Sequence, residues 1–160
     1  MMRWGSGATL AVCALLAINA RAVSPVLRTI TDVPLPGKTT RFDYQSFDPK
    51  TKMLYLAHMG DGELVVFNTR TRTVVARLPW FPTVTGVLAV PELHRVFASV
   101  AGNHEVAVVD TDSMNVVARI PAGQFPDGLA YSPETCKVFV SEREEDGNLP
   151  EDVRSIKRGE

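Results

Sequence analysis

Polar side chains of the types that bind ions or transfer protons recur along this chain. Carboxylate and imidazole groups are ligands for divalent cations, and they also act as general acids and bases. Asp43, Thr85 and Asp127 are equally spaced, at an interval that is found elsewhere in the sequence as well. The candidate ligand-binding residues are all next to short apolar segments, and they are Arg41, Asp43, His58, Asp61, His104 and Asp127.

Each of these side chains also has a purely structural interpretation. An aspartate at the start of a strand, such as Asp43 or Asp127, can bond nearby backbone N–H groups and cap the loop. His58 can be a polar residue at the rim, and His104 ends a Gly-Asn-His turn. The chain contains no G-x-S-x-G, HExxH, C-x-x-C-H or phosphate-binding glycine loop. We therefore predict no catalytic residue, no bound metal and no cofactor.

A repeat with a period of about 42 residues defines the elements that carry these side chains. The segment 63–69 (ELVVFNT) aligns without a gap with 105–111 (EVAVVDT), and 74–79 (VVARLP) aligns with 116–121 (VVARIP). One aromatic position keeps the spacing through three copies, at Tyr55, Phe97 and Phe139. Short strands and turns with a period of about 40–45 residues are the signature of four-stranded β-propeller blades. The sequence therefore predicts an all-β chain of antiparallel propeller blades.

Two complete blades and two partial ones are predicted. The complete blades occupy about residues 42–78 and 84–120, and a third begins at 126–141. Their strands are predicted at 43–47, 53–58, 63–68, 73–78, 86–90, 95–100, 105–110, 115–120, 128–132 and 137–141. Residues 26–35 resemble the outer strand of a blade, which in propellers often completes the last blade and closes the ring. Several strands are apolar on both faces, as expected for a sheet between two neighbouring blades.

The propeller architecture would gather the candidate residues on one face. The loops that enter the first strand of a blade, and those that join its second strand to its third, share one face around the central channel. Ligand sites in such rings usually form there because loops from several blades converge. Asp43 and Asp127 hold the same position in different blades, so we expect both carboxylates at the channel. Trp80 and Phe81, between two blades, either form a contact site or pack on the neighbouring blade.

The N-terminus, residues 1–22, has the features of a secretory signal peptide. Residues 8–18 are apolar, which is too few to cross a bilayer, and they follow a charged start. An A-x-A sequence ends at Ala22, so we predict cleavage there and a secreted or periplasmic mature chain without a transmembrane segment. Cys136 is then the one remaining cysteine and an incidental thiol. A net charge of −1 gives no reason to expect a nucleic acid partner.

The composition changes after residue 141. Residues 142–160 are mostly charged and contain a helix-start pattern at 150–152, so we expect a charged tail that is a short helix or disordered. Propellers have at least four blades, and four such repeats exceed the chain left after cleavage. The predicted ring is therefore incomplete. Its uncovered blade faces and unpaired strand edges favour association with other chains or self-association.

The second blade resembles the YVTN-repeat β-propeller family. The matching unit, V-x-V-x-D-T-x-x-x-x-V-V-A-x-I-P-x-G-x-x-P-x-G-x-x-x-S-P, begins at Val106 and ends at Pro133, and the resemblance extends from Arg28 to Ser141. Related blades occur in surface-layer proteins, quinoprotein amine dehydrogenases and lactonases. The tetrapeptide that names the repeat is replaced here by YLAH, FASV and FVSE. The resemblance implies blades of a secreted or periplasmic protein, and many members of the family have no assigned activity.

Three hypotheses for function follow. The first is a non-catalytic binding or scaffold module of a longer propeller outside the cytoplasm, with an unidentified ligand or protein partner. The second is a lactonase-like or quinoprotein-subunit-like enzyme that uses Asp and His side chains at the channel face. The third is a truncated product without independent function. The first is favoured by the repeat and the signal peptide, together with the missing catalytic motifs.

Overall fold

The structure, a computed structural model, describes three ranges of the chain: 27–38, 40–143 and, for the backbone alone, 153–157. The chain divides into two compact units, Met1–Asp32 and Val33–Glu160. In the first unit, residues 27–32 have no regular secondary structure. The second unit contains three antiparallel sheets. The predicted signal peptide at 1–22 lies outside the described residues.

Blade 1 is a four-stranded sheet whose strands follow one another in the sequence. They are hydrogen-bonded in chain order, and they are β1 Gln45–Asp48, β2 Met53–His58, β3 Glu63–Asn68 and β4 Thr73–Leu78. The outer strand β4 alternates between exposed and partly buried residues, as expected for an edge strand with one wet face. Residues 64–66 of β3 are consecutive and fully buried, so the centre of this sheet is covered on both faces.

Blade 2 repeats this arrangement, and blade 3 has three described strands. Blade 2 is hydrogen-bonded in chain order and consists of β5 Val84–Val90, β6 Arg95–Val100, β7 Glu105–Asp110 and β8 Val116–Pro121. Blade 3 has the order β11-β10-β9, formed by β9 Pro126–Ser132, β10 Lys137–Glu142 and β11 Val153–Lys157. The second strands β2, β6 and β10 begin at equal intervals along the chain, so the sequence repeat is a repeat of blades.

The predicted all-β architecture of four-stranded antiparallel blades in an incomplete ring is confirmed. The strands β2, β3, β4, β6 and β7 have the predicted bounds. The bounds of β5, β9 and β10 differ by one or two residues at one end, and those of β1 and β8 differ at both ends. Within the described ranges there is no α-helix, and hence none long and apolar enough to span a bilayer.

The tail after residue 141 contains a strand, which corrects the prediction of a short helix or disorder. β11 pairs antiparallel with β10, with Val153 opposite Ser141 and Lys157 opposite Lys137. Without β11, the backbone N–H and C=O groups along that edge of β10 would be unpaired. The charged composition misled the prediction because backbone pairing does not depend on apolar side chains. The predicted helix start at 150–152 lies outside the described residues.

Residues 27–35, expected as the described part of a closing strand, form no strand. A strand is stable only beside a neighbour that donates and accepts hydrogen bonds along its length. Among the described residues, none of the three sheets includes this segment. The pattern that resembles an outer strand is therefore present in the sequence, but it is not paired in this structure.

Two apolar layers hold the three blades together. The layer between blades 1 and 2 contains side chains with no solvent exposure, among them Tyr55, Leu64, Val66, Val84, Val96 and Val100. The layer between blades 2 and 3 is formed by Val90, Phe97, Val106, Val108, Val138 and Val140. Full burial of one such side chain contributes about 1.5–3 kcal/mol. These layers fix the positions from which the blades present their loops.

Candidate functional site

Loops gather along one edge of the three blades, which we call the loop face. It comprises two interblade links, residues 79–83 and 122–125, and the 3₁₀ turns Met59–Asp61 and Ala101–Asn103. Backbone hydrogen bonds between loops recur one repeat later: Ala101 N–H donates to the Thr83 carbonyl (3.2 Å) and Arg143 N–H to the Phe125 carbonyl (2.9 Å). The repeat thus builds one backbone scaffold, on which the side chains differ from blade to blade.

The segment before blade 1 lies on the turn between β2 and β3, and we call it the strap: Gly37, Lys38, Thr40, Arg41 and Phe42. The Arg41 carbonyl accepts a hydrogen bond from Gly60 N–H at 2.8 Å. Gly37 has a φ of +116°, and a Cβ there would lie 2.5 Å from Asp61 Oδ2. Glycine is needed at this position because of both the left-handed φ and the close approach.

His58, at the end of β2, is buried beneath the strap. Its side chain is 1 % exposed, and its ring is stacked on Phe42 with centroids 4.0 Å apart and planes 7° apart. The His58 Nε2 lies 3.0 Å from Thr40 Oγ1. The structure therefore places His58 in an enclosed position on the loop face, whereas the expected position was on the face around the central channel. It also adds Thr40 and Phe42, for which the sequence contains no signal of a site.

The Thr40 hydroxyl determines which nitrogen of His58 carries the proton. This hydroxyl donates its single proton to Asp61 Oδ1 at 3.0 Å. It must therefore accept from His58, which makes the neutral imidazole the Nε2–H tautomer. The His58 Nδ1 is then a bare acceptor that is buried and has no hydrogen-bond partner among the described residues. It faces Asp61 Oδ2 at 3.8 Å, which is too long for a hydrogen bond.

Asp61 is held in its charged form by donors of the strap. The backbone N–H of Lys38 donates to Oδ2 at 2.9 Å, and together with the Thr40 hydroxyl and the nearby His58 it lowers the pKa of Asp61 against the opposing effect of desolvation. Arg77 Nη2 lies farther away, 4.0 Å from Asp61 Oδ2. The two residues that the sequence predicted, His58 and Asp61, are thus brought together as a carboxylate beside an imidazole.

Arg77 on β4 is a charged neighbour of Asp61 that was not among the predicted site residues. Its Nη2 lies 2.6 Å from a carboxylate oxygen of Glu63. The equivalent pair in blade 2, Arg119 and Glu105, forms the same ion pair between β8 and β7. The alignment of the two copies contains this signal, since the members of the two pairs hold the same positions in the repeat. The pairs connect the outer two strands of each blade near the loop face.

The first strands of the three blades bring one position of the repeat close together in space, and this position is Asp43, Thr85 and Asp127. Asp43 precedes β1 and forms an ion pair with Arg41 at 3.0 Å. Its neighbour Tyr44 donates a backbone N–H to Thr85 of β5 (3.3 Å), and the Thr85 hydroxyl donates to the Pro126 carbonyl of β9 (2.7 Å). Asp127 follows Pro126, and its carbonyl oxygen would be 2.0 Å from a Cβ placed on Gly86. Asp43 and Asp127 therefore flank Thr85.

His104 lies away from His58, at the turn that follows β6 of blade 2. It has a φ of +56°, and its Nδ1 is 2.6 Å from the Gln124 carbonyl in the link to blade 3. Its own carbonyl accepts Ala122 N–H at 2.8 Å. The contacts of His104 therefore hold the link in place, in agreement with the turn interpretation of this residue.

Glu142 is a further polar residue of the loop face. It holds the position of His58 two repeats later, and it is buried. Its Oε1 accepts the Gly123 N–H at 2.7 Å. The Oε2 has no partner among the described residues. The position at the end of the second strand is therefore polar in blades 1 and 3 and apolar, as Val100, in blade 2.

Trp80 and Phe81 behave in opposite ways in the link between blades 1 and 2. Phe81 is fully buried in the layer between the blades, whereas Trp80 is 80 % exposed. Trp80 also has a φ of +70°, which is unusual for a bulky residue. Arg119 Nη2 donates to the Trp80 carbonyl at 3.0 Å, and its guanidinium lies over the Phe81 ring at 5.4 Å. Phe81 thus packs between the blades, as one of the two predicted alternatives has it, and Trp80 is exposed.

The chain resembles solved structures at the level of the fold. It superposes on Kuenenia stuttgartiensis hydrazine synthase with a TM-score of 0.66 and 18% identity, covering 84% of this chain and 36% of that one. It superposes on a luciferin-regenerating enzyme with a TM-score of 0.55 and 12% identity, covering 73% and 45% of the two chains. The fold is that of β-propeller blades. At these identities the likeness shows the fold alone, and this chain spans less than half of either structure.

No family and no curated protein matches the chain. The propeller fold that the resemblance implies is confirmed by the solved structures. The YVTN repeat itself stays a prediction. Among the described side chains, no three His, Cys, Asp or Glu residues form a group that could hold a metal ion.

Proposed function

We propose that this chain is a non-catalytic binding or scaffold module of a secreted or periplasmic protein, built from YVTN-type blades and part of a longer propeller. The proposal rests on a difference between the polar side chains of the loop face and Trp80. His58, Asp61 and His104 are engaged in contacts that hold loops in place. Trp80, in contrast, is fixed by its backbone and projects into solvent.

Trp80 is suited to bind a partner because it is both exposed and rigid. Its carbonyl is bonded to Arg119, and the next residue, Phe81, donates its N–H to the Gly62 carbonyl at 3.0 Å and is buried between blades. Tryptophan is enriched among the residues that dominate interface energies. An anchor that is already ordered loses little conformational freedom on binding. Trp80 would therefore be the centre of the proposed contact surface.

Photo-crosslinking in cells tests the binding role of this surface. A photoreactive amino acid replaces Trp80 in the full-length chain, and the same replacement at Val117, which is 52 % exposed on the outer strand β8, is the matched control. We expect a discrete crosslinked product from position 80 and none from position 117. Equal products from both positions, or none from either, would contradict a specific contact at Trp80.

The location and the longer propeller have their own tests. Mass spectrometry of the extracytoplasmic fraction should find an N-terminus at Val23, and an unprocessed chain in the cytoplasm would contradict secretion. The coding sequence after Glu160 should contain further copies of the repeat. Without such copies, sedimentation velocity should instead show a discrete assembly of chains, and a monomer would favour a truncated product.

The second candidate is a lactonase-like or quinoprotein-subunit-like enzyme. It is favoured by one observation, the placement of Asp43 and Asp127 on either side of Thr85 at the inner strands. Carboxylates from different blades can bind a metal or transfer a proton. Turnover of lactones or primary amines by the purified protein, lost in Asp43→Ala and Asp127→Ala, would establish this function and overturn the non-catalytic proposal.

A further inference from the structure

Blade 1 contains an imidazole nitrogen that the structure leaves unsatisfied. The Nδ1 of His58 is buried without a hydrogen-bond partner among the described residues. Its nearest carboxylate oxygen is Asp61 Oδ2, at 3.8 Å. In the neutral ring both of these atoms are acceptors, so they have no proton to share. Protonation of Nδ1 would convert this unfavourable contact into a donor facing a carboxylate.

The nearest charged group to the His58 ring is the Asp61 carboxylate, which attracts a cationic ring. Asp61 and Glu63 are acidic, and Lys38 and Arg77 are basic. Arg77 lies 2.6 Å from Glu63 and 4.0 Å from Asp61, so it is mainly engaged by Glu63. Asp61 keeps a charge that the Lys38 backbone N–H and the Thr40 hydroxyl stabilise.

The stacked ring of Phe42 adds to this preference. It lies 4.0 Å from the His58 ring in a nearly parallel arrangement. The face of an aromatic ring is the negative part of its quadrupole, and a cation over that face is attracted to it. Phe42 therefore interacts more favourably with a charged imidazole than with a neutral one.

All of these partners connect the strap to blade 1. Lys38, Thr40 and Phe42 belong to the strap, whereas His58 and Asp61 belong to β2 and the following turn. We propose that His58 and Asp61 form a protonation-dependent clasp, which holds the strap on blade 1 more tightly when His58 is a cation. The neutral ring docks the strap through Nε2, and protonation of Nδ1 strengthens the docking. Strong acid, which protonates Asp61, releases it.

Hydrogen exchange by NMR on the full-length chain tests this clasp. Gly60 N–H donates to the strap at Arg41 (2.8 Å), and Gly102 N–H, one repeat later, donates to the link between blades 1 and 2 at Pro82 (3.1 Å). After correction for the intrinsic pH dependence of exchange, we expect the opening constant at Gly60 to fall about tenfold from pH 7.5 to 5.5, the effect of one charge-assisted hydrogen bond. The constant at Gly102 should stay unchanged. Equal behaviour of the two amides would overturn the proposal.

Two substitutions assign the effect to His58. His58→Gln keeps a donor for Thr40 and removes the titration, so the pH dependence at Gly60 should disappear. His94→Gln is the matched control, because the exposed His94 also faces a carboxylate, Asp112, at 3.4 Å. Its Gly60 amide should respond as in the wild type. A pH response that persists in His58→Gln would overturn the proposal.

A spectroscopic measurement on the wild type does not depend on the folding of any variant. The ¹⁵N shifts of the His58 ring should show the Nε2–H tautomer at pH 7.5 and two protonated nitrogens at pH 5.5. The new Nδ1 proton should carry the downfield shift of a hydrogen bond to a carboxylate. A ring whose Nδ1 stays unprotonated at pH 5.5 would overturn the clasp.

Discussion

Blades 1 and 2 share a backbone at the loop face and differ in its chemistry. His58 and Val100 end the second strands of the two blades, one repeat apart, and both are buried. Gly60 and Gly102, one repeat apart, each donate a backbone hydrogen bond to the segment that precedes the first strand of their blade, at Arg41 and Pro82. In blade 1, a hydrogen-bonded network of His58, Thr40 and Asp61 lies between the strap and the end of β2. In blade 2, the corresponding position belongs to an apolar layer that contains Val100 and Phe81.

The difference shows that the fold does not require a polar network at this position. In blade 2 this position is Val100, whose side chain has no polar atom that needs a hydrogen bond. In blade 1 it is His58, whose buried Nδ1 has no partner among the described residues. A buried polar group without a partner costs about 1–3 kcal/mol. Departures from the locally most stable choice are expected where a side chain has a role besides packing.

Exchanging the two residues gives the largest expected effect. Val100→His places an imidazole in the apolar layer beside Val84, where no donor or acceptor is provided, and should destabilise the protein by about 3 kcal/mol. His58→Val removes the unsatisfied nitrogen and leaves the Thr40 bond to Asp61 intact, so its free energy of unfolding should stay within about 1 kcal/mol of the wild type. Urea unfolding at pH 7 measures both.

Val100→Leu separates polarity from size in this exchange. It enlarges the side chain without adding a polar atom, so it should cost clearly less than Val100→His. Equal losses for the two substitutions would mean that space alone decides what this position accepts. The contrast between the blades would then be a matter of packing.

The aromatic position within β2 and β6 provides a second contrast. Tyr55 and Phe97 are equivalent in the repeat, and the Tyr55 hydroxyl is buried without a partner among the described residues. Tyr55→Phe should therefore raise the free energy of unfolding by about 1 kcal/mol at pH 7. Burial, followed by the charges of Asp48 and Asp112, raises the pKa of Tyr55 to about 12 from 10.0.

The sign of the alkaline effect follows from this raised pKa. The unfolded chain releases the Tyr55 proton near pH 10 and the folded chain near pH 12, so stability is complete below pH 10 and falls as the pH rises to 12. The wild type should lose roughly 2 kcal/mol over this range from Tyr55 alone. Tyr55→Phe should lack this component, and identical alkaline profiles in the two proteins would contradict it.

The repeat made most of the fold accessible from the sequence, because blades of one register share strand positions and turns. Lys52, His94 and Cys136, aligned as one turn position, all have a positive φ between 52° and 64°. The strand β11 was not predicted because the sequence around it is mostly charged. Its formation depends on backbone pairing with the edge of β10, which a side-chain pattern does not show.

The candidate site could be predicted only in part. His58 and Asp61 were both expected on the same face, and they lie beside each other. Thr40 and Phe42 were not expected, because the strap is brought over the turn by tertiary contacts and has no sequence repeat of its own. Conversely, His104 contacts the Gln124 carbonyl of a link, a role that an imidazole in a turn does not reveal.

Acid titration sharpens the contrast between Asp61 and its blade 2 equivalent, Asn103. The Lys38 N–H and other donors lower the pKa of Asp61 below its ordinary value, so its stabilising effect is present above pH 3.8 and is lost as the pH falls through the lower folded pKa. In Asp61→Asn, docking of the strap should no longer weaken in this acid range. Hydrogen exchange of the Gly60 amide, which donates to the strap at Arg41, measures docking, and Asn103→Asp is the control. An unchanged acid profile in Asp61→Asn would contradict this assignment.

The smallest expected effect distinguishes the two ion pairs of the outer strands. Arg77→Lys keeps a charge opposite Glu63 in a solvent-exposed pair, so it should cost no more than about 0.5 kcal/mol. Arg119→Lys loses in addition the bond to the Trp80 carbonyl and the contact over Phe81. It should cost about 1 kcal/mol, because a lysine cannot reproduce the planar guanidinium. Trp80 fluorescence anisotropy should fall in Arg119→Lys and not in Arg77→Lys. Equal anisotropy in both variants would show that Arg119 does not hold Trp80 in place, and the rigid anchor would have to come from the flanking Pro79 and Pro82.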